Sequence, residues 1–311
     1  MYSIATRSHL FRVVAFRIQF RPVNMIHRCQ PMLGTFVEIS LDGGTERSLQ
    51  KEAGKAFEII GSVQRMMGFH DPESDVSRLN QCAHVAPLRV HPWTWQVIEK
   101  AVKLSEETEG AFDITVAPQL VKWGYLPRHK SFTALGEAGL WKQIEMLPDC
   151  QIRFHQPLQI DLGDISKGFA VDKAIDLLAT RGIGQATVNA GGDLRVLGVQ
   201  NEVSTGRDAD ASQTRQHPSV MLRPAVATSA AYFARQRMGC SKVSPIVHPH
   251  TGKPLRSNVS VSVFSRTCME ADALTKAVLL APQAVWNRVL RLHDSLALFI
   301  TSRGEQVLFP A

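Results

Sequence analysis

The chain has 311 residues, of which 44% are hydrophobic and 20% are charged, a composition typical of a folded globular protein. Its formal net charge is +7, but residues 1–37 contain five arginines and no acidic residue, so the rest of the chain carries only +2. This nearly neutral body argues against a nucleic-acid partner, and no apolar run is long enough for a transmembrane segment.

The N-terminal segment does not have the pattern of a folded element. Arginines interrupt every apolar run of the first 25 residues, so the hydrophobic region of a secretory signal is missing, and the residues before Cys29 form a poor lipoprotein cleavage site. We therefore expect residues 1–30 to be an N-terminal tail, either disordered or upstream of a true start at Met25, rather than a targeting peptide.

The five cysteines are dispersed, which argues against a zinc site and is typical of a reducing compartment. Together these features predict a cytoplasmic protein.

Hydrophobic periodicity predicts a chain that mixes strands with amphipathic helices. In chain order we expect a strand at residues 34–41, a helix at 45–67, a short helix capped by Ser74 or Asp75 and ending at Asn80, a helix at 92–109, a strand at 259–264, a helix at 269–280, and closing strands at 296–300 and 307–309. Residues 201–218 are the most loop-like interior stretch. Neither an internal repeat nor a long linker divides the chain, which predicts a single domain.

Residues 160–198 are the stretch around which the rest of the chain is organised. They predict a short strand at 160–163, a polar loop, a helix that begins near Lys167, a strand, a turn at Gly191-Gly192 and a further strand. A helix N-terminus between glycine-containing loops can bind a phosphate, because its free N–H groups and dipole attract an anion and the lysine adds a charge. Ordinary turn chemistry produces the same pattern, so both interpretations stay open.

Two further positions have the chemistry of a binding site. Asp272 lies near the start of a predicted helix, where its carboxylate can hold a hard cation with Thr275 one turn on, or simply complement the helix dipole. His248 and His250 place two imidazoles in one turn, which can chelate a metal, lie beside a phosphate or be an ordinary polar turn. The sequence has no His-Glu-x-x-His or Gly-x-Ser-x-Gly motif, which argues against the corresponding hydrolases.

Taken in order, the motifs of this chain resemble the FAD:protein FMN transferase (ApbE) family over about residues 31–300. The matching segments are Leu33-Gly34-Thr35, residues 70–80 (HDPESDVSRLN), residues 110–118 (GAFDITVAP) with Trp123-Gly124, residues 160–198 with Asn189-Ala190-Gly191-Gly192-Asp193, Ala227-Thr228-Ser229, residues 248–252 (HPHTG) and residues 271–274 (ADAL).

The resemblance implies an α+β fold, with a single ApbE-like domain at residues 31–311 in which helices flank antiparallel sheets. It implies that the protein binds FAD as a substrate together with Mg²⁺, cuts the pyrophosphate and transfers FMN to a threonine of an acceptor flavoprotein. Mg²⁺ suits this chemistry because a metal that bridges phosphate oxygens positions them and neutralises their charge. Family members are often exported lipoproteins, which leaves a periplasmic or membrane-anchored location as the alternative to the cytoplasm.

The resemblance also implies roles for individual residues. The residues expected to hold FAD are Leu33, His70, Ala111, Phe112, Asp113 and Lys167. The expected metal ligands are the backbone carbonyl of Ser166, the carboxylate of Asp272 and Thr275 in the turn that follows. We assign the transfer of the proton to His248.

Several positions depart from the family pattern. His70 stands where family members usually have an aromatic residue, and Lys276 stands where a hydroxyl ligand is expected four residues after Asp272. Pro245 and His248 occupy positions that usually hold a histidine and an aspartate. These changes leave two alternatives to the FMN transferase: an FAD pyrophosphatase that releases FMN and AMP, as some family members do, and a flavin-binding protein that has lost catalysis.

Overall fold

The computed structural model describes residues 25–129, 137–198, 223–232, 234–238 and 241–310. Its helices are α1 (Glu46–Met67), α2 (Asp75–Cys82), α3 (Pro92–Glu107), α4 (Ala117–Lys122), α5 (Ser166–Thr180), α6 (Cys268–Leu280) and α7 (Gln283–Leu292). Its strands are β1 (Ile26–Met32), β2 (Thr35–Asp42), β3 (Leu88–Arg89), β4 (Ile144–Leu147), β5 (Gln151–Phe154), β6 (Gln185–Ala190), β7 (Asp193–Leu197), β8 (Ala225–Ala230), β9 (Gln236–Met238), β10 (Ser241–Val243), β11 (Val247–His248), β12 (Lys253–Pro254), β13 (Ser260–Ser265), β14 (Leu296–Ile300) and β15 (Gln306–Phe309). Within these ranges, we find no helix with the length and hydropathy needed to cross a membrane.

Eight of the strands form one main sheet, in the order β1-β2-β6-β7-β8-β13-β14-β15, and every neighbouring pair is antiparallel. In β2 the buried residues Val37, Ile39 and Leu41 alternate with more exposed ones, as expected for a strand with one covered face. A three-stranded sheet, β3-β5-β4, and the hairpins β9–β10 and β11–β12 lie outside the main sheet. This is the α+β architecture with antiparallel sheets flanked by helices that the resemblance implies.

The helices that cover the main sheet follow the order of its strands. α1 contacts β1 and β2, α5 contacts β6 and β7, α6 contacts β8 and β13, and α7 contacts β14. Their apolar faces and the covered face of the sheet form the hydrophobic core, in which Ile39, Ile60, Val188 and Leu178 are fully buried. α5 therefore lies in the middle of the layer, between α1 and α6.

The contact between α5 and α6 is closer than side chains normally allow, because Gly168 faces the backbone of Cys268. A Cβ atom on Gly168 would overlap the Cys268 carbonyl and would lie 2.7 Å from the backbone nitrogen of Met269. One turn further along α5, Asp172 accepts hydrogen bonds of 2.9 Å from the backbone N–H groups of both Cys268 and Met269. A carboxylate of α5 thus caps the N-terminus of α6.

One predicted strand, at residues 160–163, is wrong. The side-chain amide of Asn80 takes the place of a neighbouring strand: its Nδ2 donates to the Ile160 carbonyl at 3.0 Å, and the Ile160 N–H donates to its Oδ1 at 2.8 Å. The next N–H group, of Asp161, donates to the Ile114 carbonyl at 2.8 Å. An apolar run held in this way has the same sequence pattern as a strand.

The other predicted strands and helices lie within a few residues of their expected bounds, but β1, β3–β5, β8–β12, α4 and α7 were not predicted. Residues 26–30, which the sequence assigns to the N-terminal tail, form part of β1. Residues 1–24 and the predicted loop at 201–218 lie outside the described residues.

We expect Gly168→Ala to lower the free energy of unfolding by about 3 kcal/mol, because the new methyl group must push α5 away from the rigid backbone of α6. Urea denaturation of the wild type and the variant measures this loss. Gly54→Ala in α1 is the matched control, since a Cβ there meets only the end of the Arg28 side chain, at 3.8 Å. The control should be neutral or gain up to about 1 kcal/mol; equal effects at both positions would contradict the close contact.

A partly buried ionic network around His293, which follows α7, also holds α6. His293 Nε2 lies 2.6 Å from Glu107 Oε2 at the end of α3, and His293 Nδ1 lies 3.3 Å from Glu270 Oε1 in α6. Lys100 Nζ lies 2.6 Å from the same oxygen of Glu270. Burial opposes the charged imidazole, but Glu270 and Glu107 outweigh it and raise the pKa of His293 above 6.5. His293 and Lys100 in turn overcome burial and lower the pKa of Glu270 to about 2.

The raised pKa of His293 predicts a pH-dependent contribution to stability. A group with a higher pKa in the folded state stabilises fully below its unfolded pKa, here 6.5, and loses that contribution as the pH rises through its folded pKa. We therefore expect the difference in free energy of unfolding between wild type and His293→Gln to be largest near pH 6 and to shrink towards pH 9. Urea titrations across that range measure it, and a difference that does not change with pH would contradict the charged network.

Candidate functional site

Five charged side chains from separate parts of the fold meet at the N-terminal end of α5, and we refer to them as the aspartate–lysine cluster. Its members are Asp164, Lys167, Asp193, Asp272 and Lys276. Asp164 lies in the turn before α5, Lys167 in the first turn of α5 and Asp193 at the start of β7, while Asp272 and Lys276 are one turn apart on α6. Because α5 contacts both α6 and β7, helix packing itself brings these residues together.

Asp272 is the centre of the aspartate–lysine cluster. Its side chain is 1% exposed, and its Oδ1 lies 2.9 Å from Lys276 Nζ while its Oδ2 lies 3.2 Å from Lys167 Nζ. The backbone N–H of Gly168 approaches Oδ2 at 3.4 Å. Burial alone would raise the pKa of Asp272, but Lys167 and Lys276 outweigh burial and hold that pKa below its ordinary value. Asp272 is therefore an ionised carboxylate with a cationic partner at each oxygen.

The two lysines of the cluster differ in their access to solvent. Lys167 Nζ lies 2.8 Å from Asp193 Oδ2 and 3.1 Å from the Gly163 carbonyl, and its side chain is 27% exposed. Lys276 Nζ lies 3.2 Å from Asp164 Oδ1, and its side chain is only 9% exposed. Burial disfavours both charges, but the aspartates outweigh it and raise the pKa of each lysine. Lys167 is thus the cation of the cluster that an anionic ligand can reach.

The turn between β6 and β7 places backbone beside the cluster. Gly191 and Gly192 have φ angles of 64° and 107°, which residues with side chains rarely adopt. A Cβ on Gly191 would lie 2.5 Å from Thr35 Oγ1, so this glycine turn packs directly against the β1–β2 turn. That turn contains Leu33, whose N–H donates to Gln64 Oε1 at 2.7 Å. Leu33 and the start of β7 are therefore close in the fold.

A second polar group, which we call the Asp113 group, consists of Asp113 and Thr115 in the segment after α3. Asp113 Oδ1 accepts hydrogen bonds of 2.7 Å from both the backbone N–H and the hydroxyl of Thr115. Asp113 Oδ2 is buried and accepts no hydrogen bond of normal geometry among the described residues, although the backbone N–H of Trp141 lies close to this carboxyl group. Burial raises the pKa of this carboxyl group. Its neighbours Ala111 and Phe112 are buried as well, so a polar acceptor lies here within apolar surroundings.

The histidine turn contacts this group through His250 rather than His248. His250 Nε2 lies 3.2 Å from the Glu109 carbonyl oxygen, and a Cβ on Gly110 would lie 2.9 Å from His250 Cε1. Gly110 also has a φ of 80°, so both its backbone angle and the nearby imidazole require glycine. His248 is half-buried in β11, and burial together with His250 lowers its pKa. The sequence did not predict the contact of His250, although the spacing of the two histidines was noted.

The backbone of residues 160–164 joins the two groups. The hydrogen bond from Asp161 to Ile114 holds one end beside Asp113, and the chain reaches Asp164 of the cluster three residues later. Burial, together with repulsion from Asp164, raises the pKa of Asp161 to about 7. The aspartate–lysine cluster and the Asp113 group are therefore neighbours along one short segment.

The structure brings some of the residues with predicted roles together and not others. Lys167 and Asp272 are in direct contact, and Ser166 precedes Lys167 as the first residue of α5. The Thr275 hydroxyl donates instead to the Asp272 carbonyl at 2.7 Å and lies 2.8 Å from a serine hydroxyl of β8. His70 is exposed in the turn after α1, and its side chain makes no hydrogen bond or ring contact with the described residues. The roles assigned to these residues stay predictions.

Two members of the cluster, Asp164 and Asp193, were missed as site residues, and Lys276 was noted only as a departure. Asp193 directly follows the glycine turn, and Asp164 lies three residues before Lys167, so the sequence offered local signals for both. Lys276 lies four residues after Asp272, the spacing at which oppositely charged side chains pair on a helix.

Comparison with known proteins gives a family match over most of the chain. Residues 33–300 match the ApbE family. The FAD:protein FMN transferase of Vibrio cholerae serotype O1 is 28% identical over 277 residues, which cover 83% of this chain and 82% of the relative. The FAD:protein FMN transferase of Escherichia coli strain K12 is 24% identical over 292 residues, with coverage of 88% and 83%.

Solved structures have the same architecture. The flavin transferase ApbE from Vibrio cholerae superimposes with a TM-score of 0.70 at 26% identity, covering 93% of this chain and 97% of that one. The ApbE protein from Thermotoga maritima gives a TM-score of 0.73 at 24% identity, with coverage of 91% and 96%, and supports the fold alone. The β-sheet and helix arrangement described above is therefore shared with these proteins.

The pairing of Asp272 with Lys276 predicts a non-additive effect on stability. Asp272→Asn leaves the ammonium groups of the buried Lys276 and the partly exposed Lys167 without this countercharge and should lower the free energy of unfolding by about 3 kcal/mol. The double variant Asp272→Asn/Lys276→Met removes one of those ammonium groups and should recover about 1 kcal/mol. Urea denaturation of the wild type, both single variants and the double variant measures the coupling; purely additive losses would contradict the pairing.

Proposed function

The chain belongs to the ApbE family, and from that membership we propose that it is an FAD:protein FMN transferase, which takes FAD as its substrate and passes FMN to an acceptor protein. Relatives of that name align over most of the chain and support the proposal. In its finer form, which rests on the sequence resemblance, the acceptor group is a threonine hydroxyl of an acceptor flavoprotein.

The observation that carries the proposal within the site is the accessible ammonium of Lys167 at the N-terminal end of α5. The residue before this helix, Ile165, offers no side-chain cap; the Gly168 N–H faces Asp272 Oδ2 at 3.4 Å, and the more exposed ammonium of Lys167 supplies the charge that favours an anionic ligand at this end of the helix. The Gly191–Gly192 turn lies beside it and allows close approach to backbone. We assign the diphosphate of FAD to this end of α5.

We assign the rest of FAD to the surface that runs from the cluster to the Asp113 group. The buried Oδ2 of Asp113 is an acceptor that a ring or amino N–H of the substrate would satisfy. The sequence resemblance assigns four further residues to FAD binding: Ala111, Phe112, Leu33 and His70. The ring of His70 is exposed in the turn between α1 and α2.

The transfer itself needs a nucleophile, a base and a leaving group. The threonine oxygen attacks the phosphorus of the FMN half, a new P–O bond forms, and the P–O bond of the pyrophosphate breaks so that AMP leaves with the electron pair. The threonine proton passes to a base, for which we propose His248. Its pKa is lowered by burial and by His250, which keeps the imidazole in the neutral form that accepts a proton.

The donors around Asp272 do not fit the Mg²⁺ that the resemblance implies. Mg²⁺ needs free oxygen ligands in near-octahedral geometry, but each oxygen of Asp272 faces an ammonium group, and the Thr275 hydroxyl is bonded to its own helix and to β8. Across the described part of the chain, no group of three or more His, Cys, Asp and Glu side chains could hold a metal. The assignment of Ser166, Asp272 and Thr275 as its ligands stays a prediction.

The test is to incubate the purified protein with FAD and a flavoprotein domain that carries a target threonine, with and without Mg²⁺. We expect a covalent FMN adduct on the acceptor and one AMP per adduct, measured by intact-mass spectrometry and chromatography. The same acceptor with its threonine replaced by alanine is the control and should stay unmodified. Free FMN and AMP without an adduct would indicate a pyrophosphatase, and intact bound FAD would indicate a flavin-binding protein; either result would overturn the transferase.

A pair of variants on α5 tests the assignment of the diphosphate. Lys167→Met should weaken FAD binding about tenfold, because it removes the one accessible cation of the cluster. Lys173→Met is the matched control, since Lys173 Nζ lies over the Trp93 ring, 5.6 Å from its centre. Equal FAD affinities of the two variants, measured by quenching of flavin fluorescence, would contradict the assignment.

A further inference from the structure

The mismatch between Asp272 and a Mg²⁺ site has a specific cause, which is the side chain of Lys276. Its Nζ bridges two carboxylates, lying 2.9 Å from Asp272 Oδ1 on the same helix and 3.2 Å from Asp164 Oδ1 in the turn before α5. Oxygen atoms of these two residues, on adjoining elements, would be natural ligands for a hard cation. The ammonium group stands between them.

This ammonium cannot withdraw easily to make room for a metal ion. The Lys276 side chain is only 9% exposed, and the residue as a whole is buried on α6. A metal ion bound to Asp272 would therefore displace the ammonium of the buried Lys276 or of the partly exposed Lys167 from its countercharge, and the metal and the displaced ammonium would repel each other as like charges. Both effects oppose metal binding.

We propose that the ammonium group of Lys276 takes the place of a divalent cation, so that this chain binds and cleaves FAD without a bound metal. The inference rests on the proposed function. In this site Lys276 is a positioning residue: it holds the carboxylates of Asp272 and Asp164, and Asp272 in turn holds Lys167. The more exposed Lys167 then supplies the charge that meets the diphosphate.

The first experiment measures metal binding without FAD. Mn²⁺, detected by electron paramagnetic resonance, is added to the wild type, to Lys276→Thr and to Lys276→Val. Threonine restores the hydroxyl that the resemblance places four residues after Asp272, while valine matches its shape without a ligand. We expect no Mn²⁺ binding by the wild type, tight binding by Lys276→Thr, and binding at least about tenfold weaker by Lys276→Val.

The second experiment measures FAD affinity and FMN transfer in the presence of either EDTA or Mg²⁺. The wild type should change by less than about twofold between the two conditions, whereas Lys276→Thr should lose at least about tenfold in EDTA and recover with Mg²⁺. A lysine with a purely structural role would not produce this acquired dependence on metal.

The outcomes separate this inference from the proposed function. Mn²⁺ binding by the wild type, or a wild type that needs Mg²⁺ to bind FAD, overturns the inference even if FMN transfer is found. A folded Lys276→Thr that binds no Mn²⁺ also overturns it. A wild type that binds no Mn²⁺ and transfers no FMN in either condition overturns the proposed function, and with it FMN transfer without a metal, but still supports the replacement of the metal by Lys276. If Lys276→Thr does not fold, the wild-type measurements decide alone.

Discussion

The structure depends on the close contact between α5 and α6, and that contact depends on the absence of a side chain at Gly168. No side chain lies between the two helix backbones at this point, so the first N–H groups of α6 come within hydrogen-bond distance of Asp172 on α5. Lys167 and Asp272 lie on either side of the contact at ion-pair distance, and Asp193 of β7 and the Gly163 carbonyl hold the same ammonium group from the other side. The position of the aspartate–lysine cluster is therefore a consequence of helix packing, which is more rigid than a loop.

The arrangement of the cluster explains how so many charges tolerate burial. A buried charge costs free energy unless it is paired, and each ammonium of the cluster has two carboxylates within 3.2 Å. Three aspartates against two lysines leave one excess negative charge at a site that we assign to an anionic substrate. Asp164, whose side chain is 42% exposed, lies where water screens that excess best, while the buried Asp272 is matched at both oxygens.

The sequence predicts those parts of the fold and site that have a local signal. Helix α1 and strand β2 follow from periodicity, and the order of motifs identifies the family, but periodicity assigns a residue to a helix face without saying which element that face meets. Asp172, for example, caps α6 from a distance of 96 residues in sequence, which no pattern within its own helix indicates. The pairing of Lys167 with Asp272 spans 105 residues and is equally invisible. For Ile160, the hydrogen bonds come from the Asn80 side chain, and no local pattern distinguishes this from a strand.

Lys276 changes the kind of site that this family fold supports. The occupancy of a metal site depends on the free metal concentration, whereas an ammonium group on the chain is present in every folded molecule. Replacing a divalent cation with the ammonium group of Lys276 has two physical costs: the ammonium carries one positive charge instead of two, and its side chain fixes where that charge lies. Lys167 offsets the smaller charge, because its ammonium group adds a second positive charge at the other oxygen of Asp272. The buried side chain of Lys276 holds its own ammonium group in one position, so that charge is preorganised. The glycine turn and the Asp113 group are untouched by this replacement, so the parts that we assign to FAD can persist while the dependence on metal is lost.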